Sequence, residues 1–163
     1  MSNTITRIQE PVTGREPMAD PAQPLFALSQ FYRALNGRDL ALMERNWESS
    51  PEAAMDNPLG GIRRGWAEIR RTYEALFDAP WSYSFEFWDY TLHRGADVFW
   101  VVGRERGRLS NETETLDLAI RTTRLFRLSG GSWRQAHHHG SIEEPRLLAR
   151  YLTAVRGVGN ELA

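Results

Sequence analysis

Three consecutive histidines, His137-His138-His139, are the residues of this sequence best suited to move protons or hold a ligand. Imidazole changes charge near neutral pH, and its neutral form both donates and accepts hydrogen bonds. The run sits in a segment of strand character, where successive side chains point to opposite faces. His137 and His139 therefore share one face, and His138 takes the other. Three such neighbours do not converge on one ion. His137 and His139 together would hold zinc only with a third ligand from another strand, such as Asp117 or Glu86. Packing and hydrogen bonding on the sheet, or at a subunit contact, is the simpler role for that pair. Neither a metal nor a cofactor is expected.

Two arginines come next. Arg121 and Arg124 lie in a strand that is otherwise apolar (Leu116, Leu118, Ile120, Leu125, Phe126). Being three apart they face opposite sides, so one points inward and needs an anion there. Glu86 or Asp56 would answer structurally, an anionic ligand functionally. Six tryptophans complete the inventory: Trp47, Trp66 and Trp133 read as core, Trp88 and Trp100 as pocket or dimer-face residues.

The elements that must position these groups follow from periodicity. Leu25, Phe26, Leu28, Phe31, Tyr32 and Leu35 recur at helical spacing, and Asn36-Gly37 supplies a left-handed stop. Asp39 caps a second helix through Trp47. Ala53 to Asp56 is a short strand entering the Asn57-Pro58-Leu59-Gly60-Gly61 turn, and Gly65 to Phe77 is a third helix. From Trp81 the period falls to two. Four long strands follow, the last pair joined at Ser129-Gly130-Gly131-Ser132. Ser141 with Glu144 forms a capping box before a C-terminal helix carrying Leu147, Leu148, Tyr151, Leu152 and Val155. Helices followed by a meander make an α+β fold, a cone-shaped curved antiparallel sheet wrapped over three N-terminal helices, plus a C-terminal helix. Residues 1–22 read as a flexible arm, 23–142 as the domain and 143–163 as helix and tail.

Composition narrows the function classes. The 163 residues carry no Cys, which excludes disulfides and thiolate chemistry. A net charge of −1 gives no field to recruit nucleic acid or an anionic membrane. No apolar run approaches a membrane span, so a cytoplasmic protein is the default expectation.

The ordered blocks Asn36-Gly37-Arg38-Asp39-Leu40, Met55 to Gly60, Gly65 to Arg70, and Arg121 to Arg127 followed by Gly130-Gly131 and Trp133 to Ser141 resemble the nuclear transport factor 2-like superfamily, in its SnoaL-like and ketosteroid-isomerase-homologue branch. The resemblance implies a pocket inside the cone and pairing of two copies through the sheet face. It also implies where isomerase residues would stand, and none is kept. The base position is Asn57, an amide, with Asp56 on the opposite strand face. The tyrosine position falls near Phe31 and Tyr32, the second acid at Thr123 or Arg124. A standard ketosteroid isomerase is therefore not expected. Aligned this way, His138 enters the pocket beside Arg124 and Asn57.

The resulting expectation is a cofactor-independent isomerase, dehydratase or cyclase type of enzyme acting on a small apolar or aromatic organic molecule. His138, Asn57 and Asp56 are its catalytic candidates. Arg124, Arg121, Tyr32, Tyr73, Trp88 and Trp100 are its substrate-binding candidates. The alternative is a non-catalytic ligand-binding or homodimeric assembly domain.

Overall fold

In the computed structural model, which describes residues 5–17 and 20–156, the chain runs through three helices before its long strands. Helix α1 (Pro24–Gly37) starts on a proline, whose fixed φ suits the first turn, and buries Ala27, Leu28, Phe31, Tyr32 and Leu35. Its left-handed cap is Arg38, at φ 52°, and not the glycine before it. The Arg38 guanidinium offsets that strain by donating to the carbonyls of Phe77 (2.7 Å), Ala79 (3.0 Å) and Trp81. Helix α2 (Leu40–Asn46) is capped by Asp39, which accepts from the Leu42 amide at 2.9 Å. Helix α3 (Gly65–Asp78) buries Ile69, Tyr73 and Phe77 against the other two.

The strands are β1 (Ala54–Asp56), β2 (Arg63–Arg64), β3 (Ser82–Arg94), β4 (Val98–Ser110), β5 (Thr115–Ser129) and β6 (Ser132–Ser141). They form one sheet in the order β2-β1-β6-β5-β4-β3. The four long strands are antiparallel, and the short β1 lies parallel to β6. Burial alternates along β5: Leu116, Leu118, Ile120, Thr122, Arg124 and Phe126 face the helices, and their neighbours face out. Two glycines of β4 make room for side chains of β3. A Cβ on Gly103 would lie 2.5 Å from that of Tyr90, and one on Gly107 would lie 2.4 Å from the Phe85 ring. The side chains of β3 thus fold into spaces that β4 leaves vacant.

The N-terminal segment departs from the solvated arm its composition suggested. Ile8 and Val12 exchange backbone hydrogen bonds with Tyr90 and Phe87 of β3, and Val12 is buried. An edge strand otherwise leaves those groups open, and here residues 5–17 cover them. The Glu16 carboxylate pins the segment by accepting from the Thr13 and Gly14 amides, the Thr13 hydroxyl and the Ser29 hydroxyl of α1.

Helix α4 (Pro145–Arg156) is capped by Glu144 alone, which accepts from the amides of Arg146 and Leu147; the Ser141 hydroxyl accepts from Arg121 instead. Its Leu147, Tyr151, Ala154 and Val155 cover Trp81, Leu109, Leu116 and Leu118 at one end of the sheet. Residues 157–163 of the expected tail lie outside the described residues.

Candidate functional site

The orientation of the histidines is decided by one residue. Leu125 pairs with His137 and Phe126 with Gln135, so Ala136 is an extra residue, a bulge in β6. Without it Trp133, Gln135, His137 and His139 would share a face. With it Trp133, Gln135 and His138 are buried on the inner face, and His137 and His139 turn outward.

On the inner face Arg124 is the centre of a closed polar network. It is 1% exposed. Its guanidinium donates to Glu105 (2.5 Å), to the Gln135 amide oxygen (2.9 Å) and to the Tyr32 hydroxyl (3.3 Å), while Tyr32 donates to the same Glu105 oxygen at 2.5 Å. The guanidinium also lies 3.6 Å over the Phe31 ring. Burial holds the Tyr32 hydroxyl well above its usual range, with the Arg124 charge opposing. Tyr73 is raised in the same way. The inward arginine therefore has its carboxylate from β4. Neither acid considered from sequence supplies it, because Glu86 pairs with Arg106 and Asp56 lies on the outer face.

His138 is the neighbour of Arg124 on β6 and of Met55 on β1. It is buried, and neither Nδ1 nor Nε2 has a hydrogen-bond partner. Burial, then the charge of Arg124, pushes its pKa well below the usual histidine value, so the ring is neutral at physiological pH. The Thr122 hydroxyl on the same inner face is also buried and unpaired. Gly140, opposite Thr122, lets the chain pass close to the ring; a Cβ there would stand 3.2 Å from His138 Nε2 and equally tight against Ile120 and Pro58. These unpaired groups form a polar spot on the inner face beside the Arg124 network.

Several expected site residues are elsewhere. Asn57 is spent on its turn, where its side-chain oxygen accepts from the Leu59 amide at 3.1 Å. Arg121 is exposed, donating to Ser141 and lying 3.6 Å from Glu143. Trp88 lies beneath the Arg106 guanidinium at 4.3 Å, and Trp100 stacks on His93 at 5.0 Å, both on the outer face. The inner constellation thus keeps His138, Arg124, Tyr32 and Tyr73 and loses Asn57, Asp56, Arg121, Trp88 and Trp100. It gains Glu105, Gln135 and Thr122. Glu105 carried a signal in sequence, as the one acid on the inward phase of β4 between Val101 and Leu109.

The outer face carries its own cluster. The register Val102–Thr123–His139–Asp56 runs in one row across β4, β5, β6 and β1. It places Asp56 Oδ2 2.6 Å from His139 Nδ1, and Asp56 Oδ1 3.6 Å from His137 Nε2. The third acid beside the histidine pair is therefore Asp56. Asp117 is engaged with Arg108, as Glu86 is with Arg106. A shallow depression of about 500 Å³ adjoins His139, lined by Asp89, Arg104, Arg121, Thr123 and Ser141 among others. No helix among the described residues is long and apolar enough to cross a membrane.

Comparison with known proteins agrees with this architecture. The model of the SnoaL-like domain matches residues 26–144. No curated protein sequence matches significantly. Among solved structures, a protein from Streptomyces avermitilis described as a proposed dehydratase of the nuclear transport factor 2-like family superposes with a TM-score of 0.66 at 17% identity, covering 71% of this chain and 90% of that one. A ketosteroid isomerase-like protein from Erwinia carotovora atroseptica gives 0.61 at 20% identity, covering 73% and 92%. A protein from Thiobacillus denitrificans, described as a proposed calcium/calmodulin-dependent protein kinase type II association domain, gives 0.62 at 25% identity, covering 79% and all of that chain. One fold thus carries descriptions of catalysis and of assembly, and it chooses between neither.

Proposed function

This chain belongs to the SnoaL-like domain family, and from that premise we propose that its inner face receives a small, largely apolar organic molecule whose polar atom hydrogen-bonds to His138. The single observation that carries this reading is the pair of buried, unpartnered ring nitrogens of His138 beside the unpaired Thr122 hydroxyl. A buried polar group without a partner costs roughly 1–3 kcal/mol, and a ligand that satisfies it recovers that cost. The ligand is neutral or weakly polar, because Glu105 already neutralises Arg124.

Turnover at this site would be cofactor-free acid–base chemistry of isomerase, dehydratase or cyclase type. His138 would be its base, and Arg124, Tyr32 and Tyr73 would orient. Ligand binding is the better-supported role. The tyrosine hydroxyls are raised by burial and donate protons poorly, Asp56 lies on the outer face, and the Asn57 side-chain oxygen is engaged by the Leu59 amide. A thermal-shift screen with small apolar and aromatic fragments tests it. Binders should raise the melting temperature of the wild type and leave the His138→Leu variant unmoved. Equal shifts in both proteins would refute the site.

A second reading concerns the outer face. Trp100 and Val102 are exposed there next to Leu125, and such a patch is suited to pairing with a second copy of the chain.

A further inference from the structure

We propose that Asp56, His137 and His139 form a binding site for a divalent first-row transition-metal ion on the outer face of the sheet, independent of the interior site. One ligand atom from each residue lies within 4.8 Å of the others. The site is a product of register. The parallel pairing of β1 with β6 sets Asp56 opposite His139, and the Ala136 bulge turns both flanking histidines to the side Asp56 occupies.

The hydrogen bond to His137 turns its second ring nitrogen toward the acid. His137 Nδ1 lies 3.0 Å from the Ala54 carbonyl oxygen, which only accepts, so Nδ1 carries the proton. In the neutral ring this leaves the lone pair on Nε2, and that lone pair faces Asp56 Oδ1 at 3.6 Å. Oδ1 is itself buried and accepts no hydrogen bond. Two electron-rich atoms face each other. Either a second proton on the ring or a cation resolves that contact. A backbone carbonyl fixing the far nitrogen of an imidazole is the arrangement that orients metal-ligating histidines.

The distances are near those of coordination. At Zn–N and Zn–O bonds of about 2.0–2.2 Å, tetrahedral ligands stand roughly 3.3 Å apart. The two Asp56 contacts, 2.6 and 3.6 Å, bracket that separation. The three ligand atoms lie within 4.8 Å of one another, so coordination requires them to draw together by side-chain rotation. Two imidazoles and one carboxylate on one side of an ion suit zinc, iron(II), cobalt or nickel and leave positions open. His139, 55% exposed at its side chain, borders the depression that holds Arg104 and Arg121, so the open positions face solvent.

The test uses full-length protein without a histidine tag, stripped with a chelator and titrated with Co²⁺ and with Zn²⁺. Calorimetry should give one ion per chain, and bound Co²⁺ should develop visible d–d absorption that Zn²⁺ displaces. Asp56→Asn, His137→Gln and His139→Gln should each weaken binding by more than the roughly 10–100-fold that outer-shell changes cost. His93→Gln, a histidine stacked on Trp100 away from the cluster, should bind as the wild type does. Circular dichroism of each variant separates lost binding from lost folding. Should Asp56→Asn fail to fold, the two histidine variants decide. Absence of Co²⁺ binding by the folded wild type would mean an imidazolium–carboxylate contact only and overturns the proposal. Binding that survives in both His137→Gln and His139→Gln overturns it equally.

Discussion

Arg124 and Glu105 meet at 2.5 Å inside the cone, and the same Glu105 oxygen accepts from Tyr32. The pair lies under the helices at 1% and 6% side-chain exposure. It fixes which face of β5 is inner, because the guanidinium reaches its donors' partners from that side alone. Removing one partner leaves a buried charge uncompensated. Glu105→Ala should destabilise the protein by about 3–5 kcal/mol, measured by urea denaturation. A paired change, Arg124→Met with Glu105→Leu, should cost less than the single one. Equal losses would show that packing, not charge, sets the penalty.

Gly103 has no room for a side chain. Its Cβ would meet Tyr90 Cβ at 2.5 Å and Tyr90 Cα at 3.0 Å, and backbone does not move as cheaply as a side chain. Gly103→Ala should cost about 1–3 kcal/mol, the range for overpacking a filled core, read as a lowered denaturation midpoint. Gly37→Ala is the control, since nothing lies within 4 Å of its added Cβ. The cone's curvature would not depend on Gly103 if both variants unfold together.

The N-terminal segment should detach in acid. Burial alone would raise the Glu16 pKa, but the hydrogen bonds from Ser29 and Thr13 outweigh it and hold the carboxyl below 4.5. A carboxyl whose folded value is depressed stabilises above its unfolded value and loses that contribution as pH falls through the folded one. The protection of the Ile8 and Val12 amides, which bond to β3, against hydrogen exchange (relative to the intrinsic rate at each pH) should therefore fall below about pH 4.5. Glu16→Gln should bring the loss of protection to neutral pH. Exchange unaffected by either change would mean that the backbone bridges alone hold the segment.

Pairing through the outer face predicts a change of mass. Val102→Glu places a charge at a 45%-exposed position beside Trp100 and should convert a dimer to a monomer in light scattering, with the fold retained. An unchanged mass would remove this face from any assembly.

Much of the fold was legible because the period of the apolar residues changes once, from helical to alternating, near Trp81. The site was legible only in part. Alternation placed His138 opposite His137 and His139, and the spacing of Arg121 and Arg124 put one of them inside. The alternation of β4 marks Glu105 as inward, but its pairing with Arg124 depends on the register of β4 against β5, which no local pattern encodes. The same holds for Asp56. Its place beside His139 comes from a parallel pairing between segments some 80 residues apart, visible only once β1 meets β6. Residues 5–17 misled for another reason: a polar, proline-containing segment carries no core of its own, and its order comes from the edge it covers.

The most direct measurement is nitrogen NMR of the His138 imidazole with and without a fragment that raises the melting temperature. A ligand at the proposed site should shift one ring nitrogen as its hydrogen bond forms, and the shift should vanish with the fragment. Ring nitrogens left unmoved by every stabilising fragment would contradict an interior site built on His138.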